Sequence, residues 1–281
     1  MTGLYNIDHS VPLLIKFEKL NICGIKVNRL AYKLFISYIC ESVELNFKRS
    51  IAYSNTHIIH LAAFNDTLKT SLDKFDLIHP DGIGIYFASK FLYRSDGLEQ
   101  RITGSDFYYD LIKKAKQENW RIFFLGHDKE TFEKIKSQHP ELNITGHISR
   151  DFSDDKRVIN SINNSASNII IVGLQSPFQE KWIAENQDKL NCNIILAVGG
   201  GIKVFANTLK RGPEVIRMLG LEWLYRLITN PKWYWKRILV GFPVFIALTL
   251  KQKSAIYKNK KENLVFKPLE SIYRSILNML F

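Results

Sequence analysis

The sequence predicts an α/β protein: a Rossmann-like parallel sheet with flanking helices, followed by a basic, mostly helical C-terminal appendage that associates with a membrane. Three observations carry this reading. From about Ser50 to Ala197 short apolar segments alternate with helix-period segments, the pattern of strands buried in a parallel sheet and covered by helices. The composition is 46% hydrophobic and 23% charged over 281 residues, which excludes a fibrous or largely disordered chain. Finally, thirteen basic residues and only two acidic ones lie between Lys203 and Lys261, nearly all of the net charge of +12. Such asymmetry divides the chain into an α/β domain over residues 1–202 and an appendage over residues 203–281, and calls for an anionic partner.

Taken in order, the elements begin with a β-hairpin over Leu20–Val27, bending at Gly24, and a helix over Asn28–Glu41. Strands are expected at Ser50–Ser54, Phe75–His79, Arg121–Leu125, Asn143–His147, Asn168–Val172 and Asn193–Ala197. Between them, Ser105–Glu118, Lys129–Gln138 and Phe178–Leu190 have helical spacing with charged outer faces. No internal repeat or low-complexity segment interrupts this plan. Cys23, Cys40 and Cys192 are far apart and outside any CxxC spacing, which points to a reducing cytoplasm and away from disulfides or zinc. Met1 to Pro12 lacks the basic and apolar regions of a secretory signal.

In the appendage, Trp223, Trp233 and Trp235 with Tyr225, Tyr234 and Tyr257 are interleaved with Arg226, Lys232, Lys236 and Arg237. Indole and phenol favour the headgroup layer and cations meet anionic lipid there. A solvated basic helix, or stacking on single-stranded nucleic acid, would use similar residues. The aliphatic run Ile238–Leu250 favours the membrane surface, and no nucleic-acid partner is expected. That run is about thirteen residues, interrupted by Gly241 and Pro243, against the roughly 20 of a spanning helix. The expectation is a segment that lies on the bilayer.

Ligands of open parallel sheets sit at the carboxyl ends of the strands. There the sequence places Asn55 and Thr56, each able to cap a helix or bind a ligand, and Asp81 within Pro80-Asp81-Gly82-Ile83-Gly84, either an N-cap or a catalytic carboxylate. Gly126, Gly173 and the Gly199-Gly200-Gly201 run offer turns whose backbone N–H groups could cradle phosphate. Neither a GxGxxG fingerprint nor a GxxxxGK[ST] loop is present. His57 and His60 lack a metal-type partner set and read as ordinary histidines.

Asn55-Thr56-His57, Pro80–Gly84, Arg101-Ile102-Thr103-Gly104-Ser105-Asp106, Gly173–Trp182 with its Pro177-Phe178-Gln179-Glu180-Lys181-Trp182 portion, and Arg211-Gly212-Pro213 through Gly220–Leu227 occur in one order. Together they resemble the WecG/TagA/CpsF glycosyltransferases, glycosyltransferase family 26, over roughly Leu20 to Phe245. The resemblance implies a catalytic α/β domain and transfer of an N-acetylmannosamine-type sugar from a UDP donor to a polyprenyl-diphosphate-linked amino sugar. It implies inversion at the anomeric carbon and no bound metal or other cofactor. The setting would be teichoic acid, enterobacterial common antigen, capsule or exopolysaccharide assembly on the inner face of the cytoplasmic membrane.

By the same resemblance Asp81 is the base for the acceptor hydroxyl. Asn55, Arg101 and Gln179 fall on the family's other motif positions and bind substrate, with Thr56, Thr103, Asp106 and Gly173 beside them as further candidate substrate contacts. Arg211, Arg217 and Arg226 reach the donor diphosphate, with Arg237 further along. Tyr53 replaces the family's usual Thr, Gln175 the second Gly of a VGLG turn, and Gly212 the Ala of RAP. The stretch Ile272–Phe281 reads as an added amphipathic segment, and a homo-oligomer is left open.

The chemistry suits these residue types. Inverting transfer needs a base and neutralisation of a departing diphosphate. The chain has no DxD pair, so the second task falls to arginine, whose planar fork binds phosphate oxygens bidentately. His79 and Asp106 are secondary candidates for orienting substrate. Two other classes compete: a nucleotide-sugar or NAD enzyme using a Tyr-x-x-x-Lys pair, as at Tyr86/Lys90 or Tyr109/Lys113, and a non-catalytic membrane or nucleic-acid binding module.

Overall fold

The computed structural model describes residues 17–209 and 211–258. The expectations for Met1–Pro12 and Ile272–Phe281 lie outside these residues. A two-stranded antiparallel hairpin, β1 (Lys19–Ile22) and β2 (Ile25–Asn28), precedes α1 (Tyr32–Glu44). Six further strands form one all-parallel sheet: β3 (Arg49–Ser54), β4 (Leu77–Pro80), β5 (Ile122–Leu125), β6 (Ile144–Ile148), β7 (Ile169–Val172) and β8 (Ile194–Ala197). Their order across the sheet is β4-β3-β8-β7-β5-β6, which is the expected α/β architecture.

The strands β5, β7 and β8 are buried on both faces because they are apolar without interruption, whereas the edge strand β6, with Thr145, Gly146 and His147, is half-buried. In β7, Ile170 and Val172 enter one core cluster and Ile169 and Ile171 the other, as the two-residue period of a strand requires. Helices α2 (Thr56–Ala62), α3 (Asp66–Leu72), α4 (Ile83–Tyr93), α5 (Gly104–Gln117), α6 (Lys129–Gln138), α7 (Asp155–Asn164) and α8 (Phe178–Asn186) connect the strands. The short α9 (Ile202–Phe205) follows β8 after a 3₁₀ turn over Gly199–Gly201. The expected division at residue 202 therefore falls within α9, whose Val204 and Phe205 are core residues.

Several expected boundaries move, two of them where a side chain ties down backbone. The first helix begins at Tyr32 instead of Asn28. Asn28 is the last residue of β2, 2% exposed, and its Oδ1 accepts the Ile78 N–H at 2.8 Å. The second strand of the sheet begins at Leu77 instead of Phe75, because the Asp76 carboxylate accepts Ser50 N–H at 2.7 Å and Ser50 Oγ–H at 3.1 Å.

The appendage consists of α10 (Glu214–Met218), α11 (Glu222–Thr229) and a continuous helix α12 (Pro231–Lys258). With 28 residues, α12 is long and apolar enough, by length and composition alone, to cross a membrane. This corrects the expectation of a thirteen-residue run broken at Gly241 and Pro243. Pro243 lacks an N–H and crowds the carbonyl one turn back. The helix absorbs it through a π turn over Lys236–Gly241 and does not end. Gly241 is the residue that lets α12 approach α2, since a Cβ there would lie 3.2 Å from His60 Nδ1.

The Asn28 contact yields a direct prediction. Asn28→Ala leaves the buried Ile78 N–H without its acceptor, so urea unfolding should show a loss of about 1–3 kcal/mol with an unchanged m-value.

Candidate active site

The carboxyl ends of the parallel strands open into a cleft of about 1360 Å³ that is also lined by residues of α10, α11 and of α12 as far as Leu250. Its centre is Asp81, just past β4. The Asp81 N–H donates to Ser54 O at 2.8 Å and so extends the β3–β4 ladder by one residue. Its Oδ1 accepts the Gly104 N–H at 2.8 Å, which sets the carboxylate on the positive end of α5. Its Oδ2 accepts from Asn55 Nδ2 at 3.2 Å.

Asn55 serves two purposes. Its Oδ1 caps α2 by accepting from His57 N–H at 3.1 Å and Ile58 N–H at 3.0 Å, and its amide donates to Asp81. Ser, Thr or Asp could cap equally well, but an ionised Asp has no hydrogen for the second bond. Asp81 does not cap α4: Gly82, at φ +89°, occupies that position and no side chain caps the helix. Its carboxylate is left to face the cleft.

Thr56, Arg101, Thr103, Asp106 and Gly173 line the same cleft, as do Arg211, Arg217 and Arg226. The arginines are held by acidic residues from both parts of the chain. Arg211 Nη2 lies 2.6 Å from Asp106 Oδ1, Arg217 Nη1 3.6 Å from the same oxygen, and Arg226 Nη2 2.8 Å from Glu222 Oε1. Burial would lower the Arg226 pKa, but Glu222, Tyr234 and Asp81 outweigh it and raise the value. Arg101 sits under the α10–α11 turn: Gly220, at φ +74°, has its Cβ position 3.0 Å from Arg101 Nη1.

Some expectations change. Gln179 does not line the cleft; it is wholly buried, and its Oε1 accepts the Gly199 N–H at 2.8 Å from behind. It therefore positions the glycine turn instead of touching a ligand. Gly173 and Gly126 do not offer free N–H groups, since these donate to Leu125 O at 2.7 Å and Ile148 O at 2.8 Å. Both are glycines because their neighbours are too close for a Cβ: Gly173 C lies 2.8 Å from that of Gly126, and Ile202 Cδ1 2.6 Å from that of Gly173. Among the three glycines after β8, Gly199 and Gly201 make room for Tyr53 and Tyr108, whereas Gly200 faces open space.

His79 is wholly buried behind Asp81, between Phe35 and Phe107. Burial lowers its pKa despite the opposing charge of Asp81. It cannot reach a substrate. His127, Arg150 and Lys203 also line the cleft; no spacing signal marked Arg150 or Lys203, which chain folding alone brings in. Among the described residues no three His, Cys, Asp or Glu side chains converge as a metal site.

His57, like His79, contributes to the acid sensitivity of this region. Burial first, then the charges of Arg237 and His60, push its pKa down to about 3 from 6.5. Between these values the unfolded chain binds the extra proton, so stability falls as pH drops from about 6.5 toward 3. Thermal melts across that window should show a shallower decline for His57→Gln than for the wild type.

The chain matches the glycosyl transferase WecG/TagA/CpsF family over residues 20–259. It is similar to the N-acetylglucosaminyldiphosphoundecaprenol N-acetyl-beta-D-mannosaminyltransferase of Bacillus spizizenii, 33% identical over 230 residues, which covers 80% of this chain and 88% of that protein. The protein of that name from Bacillus subtilis is 34% identical over 68% of this chain and 73% of its own length. One from Staphylococcus aureus is 29% identical over 75% and 83%. With most of its length matched, including the sheet, the Asp81 cleft and the arginine-bearing helices, the chain belongs to the glycosyl transferase WecG/TagA/CpsF family.

Proposed function

We propose that this chain transfers an N-acetylmannosamine-type sugar from a UDP donor to a polyprenyl-diphosphate-linked N-acetylglucosamine. The transfer inverts the anomeric centre, needs no metal, and takes place at the inner face of the cytoplasmic membrane. The observation that carries this reading is a carboxylate free of any ion pair among the described residues, Asp81, clamped by two N–H donors in a cleft that is also lined by a group of arginines. The names of the relatives supply the acceptor and the sugar.

In this mechanism Asp81 accepts the proton of the acceptor hydroxyl as its oxygen attacks the anomeric carbon. The bonds from Asn55 and Gly104 fix which lone pairs face the cleft, so the base is in place before substrate arrives. Charge builds on the departing UDP phosphate, and Arg211, Arg217 and Arg226 are suited to receive it. Asp106 and Glu222 hold their guanidinium groups at the cleft wall, so little reorganisation is needed at the moment of transfer. Gly200 and Lys203 offer further donor contacts.

Membrane association follows from a lipid-linked acceptor, and the exposed residues of the appendage support it. Met218, Ile228 and Trp233 are each more than 70% exposed, well beyond what a solvated surface helix needs. Since α12 is anchored to the body through Phe245 and Thr249, both under 10% exposed, we read it as lying on the bilayer.

Two experiments test the reading. UDP release from UDP-N-acetylmannosamine, in the presence of a polyprenyl-diphosphate-linked N-acetylglucosamine, should persist in EDTA and fall by roughly 10²-fold or more in Asp81→Asn. Loss of release in EDTA, or an unaffected Asp81→Asn enzyme, would overturn it. A chain ending at Asn207 lacks all three diphosphate arginines and should lose acceptor-dependent turnover; full activity on the lipid acceptor would remove the appendage from the mechanism.

A further inference from the structure

Among the described residues, exposed apolar side chains lie both outside the cleft and within it. Val215, Met218, Ile228 and Leu239 are exposed and lie outside it. A second set lies within it on two neighbouring helices. On α4, Ile83, Phe87 and Phe91 follow one another at four-residue intervals and all line the cleft. On α12, Ile238, Phe242, Ile246 and Leu250 do the same. Residues four apart share one face of a helix, so each helix presents a continuous apolar stripe.

These helices run side by side in the same direction. At one end Phe245 of α12 packs against α4 at Gly84, where a Cβ would lie 3.8 Å from its ring. At the other end Lys253 Nζ donates to Leu92 O at 3.0 Å and Gln252 Nε2 to Tyr93 Oη at 3.2 Å. Phe245 and Thr249 fill the interface, while Phe87, Phe91, Phe242, Ile246 and Leu250 stay exposed at 62%, 47%, 38%, 44% and 52%. The result is an apolar trough along the α4–α12 seam, roughly 12 Å long on α4 at 1.5 Å per residue.

Its inner end is the reaction centre. Ile83 is two residues beyond Asp81, and Arg237, next to Ile238, is near enough to His57 and Tyr53 to shift both of their pKa values. From there outward the two stripes carry no charge. Cations at one end and an apolar run leading away match an amphiphile with an anionic head and a hydrocarbon tail.

We propose that the α4–α12 trough binds the first part of the polyprenyl chain of the lipid-linked acceptor and guides its sugar to Asp81. This rests on the acceptor assigned above and adds a site for its hydrocarbon. The trough would select acceptors by chain, apart from any contact of the outer apolar surface with the bilayer.

The test compares two N-acetylglucosamine diphosphate acceptors, one on a long polyprenyl chain and one on a chain too short to pass Ile83. In Phe87→Ser/Phe91→Ser, KM for the long-chain acceptor should rise about tenfold, with the short-chain acceptor as control. Phe87→Leu/Phe91→Leu should restore the long-chain KM. Equal effects on both acceptors would overturn the proposal. So would a parallel loss of co-sedimentation with phosphatidylglycerol-phosphatidylcholine vesicles, which would make the trough a bilayer contact. Independently of turnover, a diazirine-bearing polyprenyl phosphate should cross-link to Phe87, Phe91, Phe242 or Ile246, and cross-links confined to other regions would refute the site. Cross-linking in the trough by an enzyme that turns over neither acceptor would leave the trough standing and overturn the transferase reading.

Discussion

The clamp on Asp81 is the constraint on which the rest of the site depends. One carboxylate joins the end of β3 through Asn55, the end of β4 through its own backbone, and the start of α5 through Gly104. Three chain segments far apart in sequence thus meet within hydrogen-bond distance of a single side chain. The Gly104 N–H that holds the carboxylate belongs to the first residue of α5, so the position of the helix start fixes the position of the carboxylate. In the proposed reaction Arg211, Arg217 and Arg226, which line the same cleft, serve the donor diphosphate.

The second organising feature is the way the appendage is held on the body. Asp106, on α5, pairs with Arg211 and Arg217, while Glu222 pairs with Arg226 within α11. These partly buried pairs are screened less than exposed ones. Here they orient guanidinium groups, and Arg211 and Glu222 are only 13% and 14% exposed at their side chains. Gly220 lets the α10–α11 turn settle on Arg101 and Ile83, so the appendage covers the α4 start and the motif arginine together. A basic segment that reads as a separate appendage in sequence completes the cleft in space.

Helix α12 adds a longer seam. It touches α2 through Gly241 and His60, α4 through Phe245 and Lys253, and the β1–β2 turn through Gln252, whose Oε1 accepts the Cys23 N–H at 2.7 Å. A helix apolar enough for a bilayer is thereby tied to the folded body at both ends of its second half. Its remaining apolar faces are divided between the cleft and the outside, which is the physical basis for assigning them different lipids.

Much of this was legible in the sequence. Short, β-branched apolar runs such as Ile169–Val172, ended by Gly173, read as strands covered on both sides, and the regular helix-period segments between them favour parallel connections. Asn55, Asp81, Arg101 and the later arginines stood out because they follow strands or sit in a family pattern. What the sequence could not supply were facts that depend on who the neighbour is. Gln179 sits in a motif, yet only the packing of α8 behind Gly199 makes it a buried support. Gly126 and Gly173 look like phosphate turns until the close approach of their backbones, and of Ile202, explains them. Pro243 reads as a helix breaker until a π turn carries the helix through it. Local periodicity determined the sheet, the helices and the basic segment, because each rests on contacts near in sequence. Tertiary structure alone decided which carboxylates hold the arginines in the Asp81 cleft and which apolar stripes meet, because those positions depend on long-range packing of α4, α5 and α12.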